Sequence, residues 1–236
     1  MMDMTRRAEK WCAWMVVPGA AFFFLAMAPL LGFLPPISPT LAADRIAQMY
    51  AQRGLSMQLG AIAMLFGGAF LMPFLAAISS ALLRTGRNGP AWAYAQLASG
   101  ILTFVPLYLS GLFFAAAAFR ADRAPEDVQA INDIGWFFLV MPTPPFMLQL
   151  MAIGLAILSD HAEKPVFPRW VGYLNIWVGI GAIGGVMIPV FKTGPFAWDG
   201  LFAYWIPLGL FGPWMVIMLW AVLNVGPGSE ANRKGE

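Results

Sequence analysis

Long apolar runs alternate with short polar ones along this chain. Six runs reach spanning length: Trp11–Leu34, Met57–Leu83, Trp92–Phe119, Ile134–Leu158, Trp170–Phe191 and Trp198–Val225. Each exceeds the roughly 20 residues a helix needs to cross hydrocarbon. A helix satisfies every backbone N–H and C=O within its own segment, which lipid cannot do for it. The pattern predicts an all-α fold: a single polytopic domain over residues 1–236 with six transmembrane helices.

Two of the polar connections carry helix signals of their own. In "SPTLAADRIAQMYAQRG", Ser38 is a cap, Pro39 suits the first position and Gly54 suits the stop. Ile46, Met49, Tyr50 and Arg53 then share one face. In "RADRAPEDVQAIND", Pro125, Glu126 and Asp127 form a second start, with acids at the positive end of the helix dipole. These two short outer-loop helices read either as interfacial caps or as a lid over an outward-facing cavity.

The fourth run contains a local conflict. "FFLVMPTPPFMLQL" places Pro142, Pro144 and Pro145 inside a spanning segment. A proline lacks an N–H, crowds the carbonyl four residues back, and pushes its predecessor out of helical geometry. A continuous helix through 141–144 is therefore not expected, and the fourth span reads as proline-broken. Unpaired backbone groups are costly in hydrocarbon, so the break is expected to face protein or water. Thr143 is placed to repair part of it by donating to the Leu139 carbonyl. Such a break either shapes the packing or lines a ligand site.

Composition sharpens the class. Of the 236 residues 60% are hydrophobic and 11% charged, less than half the charged fraction of an ordinary soluble domain. The mean hydropathy is +0.70. With a net charge of +2 and no basic stripe, nothing points to nucleic acid. Nine of the fourteen Lys and Arg residues fall on the side of the two termini, in "TRRAEK", "LLRTGRNG", "DHAEKPVFPR" and the C-terminal tail. The positive-inside rule then places both termini in the cytoplasm, in a multi-pass protein of the inner membrane. "AMA" at 26–28 resembles a signal-peptide cleavage box, but the first apolar run is 24 residues long and Pro29 follows the would-be cut. It is read as an uncleaved first span.

Little classical chemistry is available. The single cysteine, Cys12, and single histidine, His161, supply no disulfide, no metal or haem ligand set and no conventional nucleophile–base pair. No cofactor, metal or catalytic residue is assigned. No acid lies in the middle of a run, which leaves a proton or sodium relay little to build on. The uncharged polar residues are more informative. Gln96, Ser99, Thr103 and Ser110 form one helical stripe on the third span. It is either an interhelical hydrogen-bonding face or a polar seam opposite Thr143 and Gln149. With Trp136, Phe146 and Asp133 near the break, the candidate ligand-binding set is Thr143, Gln149, Gln96, Ser99, Thr103, Trp136, Phe146 and Asp133. Gly181 and Gly185 form a GxxxG motif that favours close helix packing.

"FPRWVGYLNIWV" and "FKTGPFAWDGLFAYWIPL" resemble stretches in a group of uncharacterised bacterial six-span membrane proteins. The resemblance covers the last third and implies no activity. Three functional expectations follow from the residues. The chain binds or passes an apolar small molecule or lipid near the broken fourth span. Alternatively it is a non-catalytic subunit of a membrane complex, docking a membrane-protein partner or a second copy of itself. The third is an enzyme using Asp133 or Asp199 at the outer mouth.

Overall fold

Apolar runs without an interior polar break fold as helices, and the prolines and glycines decide where those helices stop or deform. A computed structural model describes residues 2–120 and 122–226, with side chains from Arg6 onward. Arg233 and Lys234, counted above in the charge bias, lie outside the described residues. The chain is α-helical, with no strand among the described residues. Six helical segments are long and apolar enough to cross a bilayer: 6–30, 54–82, 89–119, 125–158, 169–187 and 201–223.

The first span joins α1 (Met2–Trp14) and α2 (Val16–Leu25) and ends in a π-helical turn over Ala26–Leu30, which contains Pro29. A short helix, α3 (Ala43–Gln52), follows. It starts later than Ser38 and Pro39 suggested, because the Ser38 hydroxyl is engaged with Thr40 in a local turn, 3.0 Å from Thr40 Oγ1. Gly54 does not end it with a loop. It opens the second span, α4 (Gly54–Leu82), directly after Arg53. The third span is α5 (Gly89–Phe119). The helix beginning at Pro125, α6 (Pro125–Val140), runs straight into the fourth span, and α7 (Thr143–Leu158) completes it. Span five is α8 (Arg169–Ala182) plus a 3-10 turn over Ile183–Met187. Span six is a π-helical turn over Leu201–Trp205 plus α9 (Ile206–Leu223).

The spans pack side by side in chain order, most extensively α4 on α5 and α7 on α8. Glycines set the closest approaches. A Cβ at Gly19 would lie 3.3 Å from the Gly67 carbonyl oxygen, and one at Gly67 3.2 Å from that of Gly19. Gly154 and Gly172 have the same reciprocal relation between spans four and five, at 3.0 and 3.2 Å. Lipid gives no hydrophobic reason for helices to associate, so close van der Waals contact through small residues must supply it.

Polar groups lock both ends of the bundle. On the side where α1 begins, Glu9 is only 4% exposed and accepts hydrogen bonds from Arg6, Ser80 and Arg84. Asp160 closes the short connection after α7, accepting from the backbone N–H groups of Ala162 and Val166. On the opposite side, Arg53 donates to the carbonyls of Pro29, Leu30 and Leu31. A cation there satisfies the last carbonyls of span one and complements the negative end of its dipole. Tyr50 donates to Asn132 Oδ1 at 3.1 Å, fastening α3 to α6. Burial, reinforced by the charge of Asp133, pushes the Tyr50 phenol up, so it stays a neutral donor.

Candidate binding site

The fourth span is interrupted at Met141 and Pro142, between α6 and α7. The Met141 N–H still bonds the Phe137 carbonyl at 2.9 Å, but the helical ladder then stops, and the Thr143 N–H turns back to the Met141 carbonyl. Thr143 does not repair the break through Leu139. Its hydroxyl reaches across to the Ile183 carbonyl of span five, at 3.4 Å. The reason lies in Gly185. A Cβ there would sit 2.5 Å from the Val140 carbonyl oxygen and 2.7 Å from Thr143 Cγ2. Without that Cβ the 3-10 turn of span five lies directly on the broken backbone, and Val140 and Thr143 are each 7% exposed.

Irregular backbone from several spans gathers around one space. A cavity of about 130 Å³ is lined by Phe23 and Met27 of span one, Thr103, Phe104 and Leu107 of α5, and Leu139, Val140, Pro142, Thr143 and Phe146 around the break. Ala182, Ala203, Tyr204, Pro207, Leu208 and Phe211 of spans five and six complete the wall. Met27 and Tyr204 lie in the two π-helical turns. A π turn carries an extra residue per turn and shifts the side chains beyond it, a deformation that often accompanies functional sites. Phe211 holds the middle, with ring centroids 5.9 Å from both Phe104 and Phe146 and 6.3 Å from Phe23.

The wall is apolar except for hydroxyls. Thr103 donates to the Ser99 carbonyl at 2.8 Å, and Tyr204 to the Phe33 carbonyl at 2.6 Å. With Thr143 bonded to Ile183, each hydroxyl on the wall has its proton committed to a backbone oxygen. No charged side chain lines the space. The space is partly open, and its lining suits an apolar occupant; an apolar cavity of about 150 Å³ in another protein admits benzene.

Of the residues the sequence nominated, Thr143, Thr103 and Phe146 line this cavity. Gln96 and Gln149 are fully buried but sit outside its wall. Ser99 contributes its carbonyl to Thr103 and nothing to the cavity. Trp136 is fully buried in a separate aromatic cluster, stacked on Trp198 with centroids 5.6 Å apart. Asp133 stands beside Asn132, 3.3 Å from its Nδ2, in the cluster that holds α3. The residues not anticipated are the aromatic ones, Phe23, Phe104, Tyr204 and Phe211. Their only signal was a proline nearby in the same span: Pro29 for Phe23, Pro106 for Phe104, Pro207 for Tyr204 and Pro213 for Phe211. Another unanticipated pair is Asn175 and Trp214, fully buried between spans five and six, where Trp214 Nε1 donates to Asn175 Oδ1 at 2.9 Å.

Among the described residues no group of three or more His, Cys, Asp or Glu side chains is placed to hold a metal. Comparisons with family models, with characterised proteins and with solved structures give no match. The site has to be read from its own geometry.

Proposed function

We propose that this chain is an integral membrane protein that takes an apolar small molecule, or a segment of a lipid chain, into the cavity beside Thr143. The observation that carries this reading is the cavity of about 130 Å³ itself, uncharged and walled by aromatic rings at the interrupted fourth span. That volume suits one ring or a short aliphatic segment. Ligand sites of this kind are mostly apolar with a few placed polar groups.

Entry is from the bilayer, between spans one and six. Three features support this route. Spans one and six touch only lightly along α2 and α9. A Cβ at Gly209 would meet nothing within 4 Å, and one at Gly212 only Phe24 Cζ at 4.0 Å. Leu208, beside them, belongs to the cavity wall. The charge bias of the loops supports an orientation with both termini in the cytoplasm, in an inner-membrane protein.

The test is gentle purification followed by native mass spectrometry, on the wild type and on Leu208→Trp, which fills the cavity from its edge. The wild type is expected to carry a small molecule or lipid that the variant loses. Equal retention by both would sink the reading.

A second reading, a non-catalytic subunit of a membrane complex, draws on span five. Trp177 is 72% exposed in the middle of α8, with Tyr173 and Ile180 exposed on the same stripe. A partner helix would cover that face. Co-purification of a fixed partner that Trp177→Ala releases supports it; a lone monomer in mild detergent removes it.

A further inference from the structure

The most unusual polar group in the bundle lies one helical turn from a residue of the cavity wall, Phe146. Gln149 of α7 is fully buried, and neither its Oε1 nor its Nε2 has a hydrogen-bond partner. Gln96 of α5 is also fully buried; its Oε1 accepts from the Ser79 hydroxyl, and its Nε2 is left over. Buried carboxamides in native proteins are nearly always paired, so an unpaired one requires an account. Neither glutamine is forced there by local structure, since both sit in the interior of regular helices where leucine would fit the pattern.

Their placement supplies the account. A Cβ at Gly100 would lie 3.1 Å from Gln149 Cδ and 3.2 Å from its Nε2, so the carboxamide rests on the bare backbone of α5. Gly100 lies between Gln96 and Thr103, about one turn from each. Gln149 lies three residues from Phe146 on the same face of α7. Thr103 and Phe146 are cavity wall. Cavity and carboxamides therefore form successive levels of one interface between spans three and four. The wall hydroxyls have their protons committed, whereas Gln149 offers a spare donor and a spare acceptor.

We propose that the ligand site extends one helical turn past the cavity wall to Gln149, whose carboxamide takes the neutral head of a ligand whose apolar body fills the cavity. The head is a hydroxyl or an amide, donating to Gln149 Oε1 and accepting from a glutamine Nε2. A carboxylate or ammonium head does not fit, because no counter-charge lines the space and an unpaired ion there is far costlier than a dipole. This rests on the cavity reading above, and the experiment separates the two.

The full chain in detergent is titrated with phenol and with toluene, which share a ring and differ in the hydroxyl. Leu208→Trp serves as the blank for uptake by the micelle. The wild type is expected to bind both, and Gln149→Leu to lose about tenfold in its preference for phenol, as one hydrogen bond to a buried partner predicts. Gln149→Met is the second variant should Leu not fold. If neither folds, the side-chain amide resonances of Gln149 in the wild type decide: a shift with phenol and not with toluene supports the proposal, and no shift overturns it. A preference unchanged by the substitution, with a raised melting temperature, shows an orphaned carboxamide or a trapped water and overturns the proposal while leaving the cavity reading intact. Binding of neither compound above the blank overturns both.

Discussion

Glu9 and Arg84 stand 75 residues apart and make a two-pronged ion pair, Arg84 Nη1 to Glu9 Oε2 and Nη2 to Oε1, both at 3.0 Å. The Glu9 side chain is 1% exposed and that of Arg84 16%, so the pair is largely withdrawn from water. It ties the start of span one to the end of span two. Removing Glu9 takes a shared acceptor from Arg84, Arg6 and Ser80 at once, and a hydrogen bond to a charged group is typically worth about 1.5–3 kcal/mol. Glu9→Ala is expected to lower the melting temperature in detergent sharply. The double variant with Arg84→Ala should cost less than the two single effects added together; simple additivity would show that the pair is not coupled.

Gly185 against the Val140 carbonyl gives a second prediction. A methyl group there meets backbone oxygen at 2.5 Å, which no side-chain rotation relieves. Gly185→Ala is expected to destabilise by about 1–3 kcal/mol, as overpacking does. Gly209→Ala is the control, because nothing lies within 4 Å of its Cβ. That change should be neutral or mildly stabilising, since alanine is favoured over glycine in a helix by about 1 kcal/mol. Equal thermal shifts for the two variants would contradict this account of the break.

Arg53 provides a third. Its fork reaches three carbonyls of the chain leaving span one, and the Ser56 hydroxyl adds a bond to Leu30. Lysine keeps the charge but not the fork. Arg53→Lys should therefore leave the bundle folded yet raise amide hydrogen exchange over residues 31–42. Exchange matching the wild type would mean that the arginine does not hold this segment.

The Asn175–Trp214 bond gives a fourth. Trp214→Phe preserves much of the ring and leaves Asn175 Oδ1 without its donor, at a cost of about 1–3 kcal/mol. Adding Asn175→Leu removes the stranded acceptor and should recover part of the loss in a thermal unfolding measurement. No recovery would place the cost in ring packing, where Trp214 meets Phe74, Phe146 and Phe211.

Glu9 was partly legible in the chain. Glu9, Ala13, Val16 and Phe23 follow one helical stripe, and each is buried. The acid at the head of that stripe was legible as a buried group, though its partner 75 residues away was not. The aromatic wall offered less. Phe23 and Phe24 are adjacent phenylalanines, yet Phe23 is 6% exposed and lines the cavity while Phe24 is only half-buried and does not. Nothing in their chemistry separates them.

The six spans were legible in the chain alone, because run length and apolarity are what a bilayer selects. So was the interruption at Met141 and Pro142, because proline acts through covalent geometry within four residues. Which faces meet, where the cavity lies and that Gln149 is left unpaired emerge from the packed fold. In water, polarity tells the outside of a helix from its inside. In lipid both faces are apolar, so that signal vanishes, and the choice passes to glycine contacts such as Gly19–Gly67 and Gly185–Val140, whose partners lie far away along the chain.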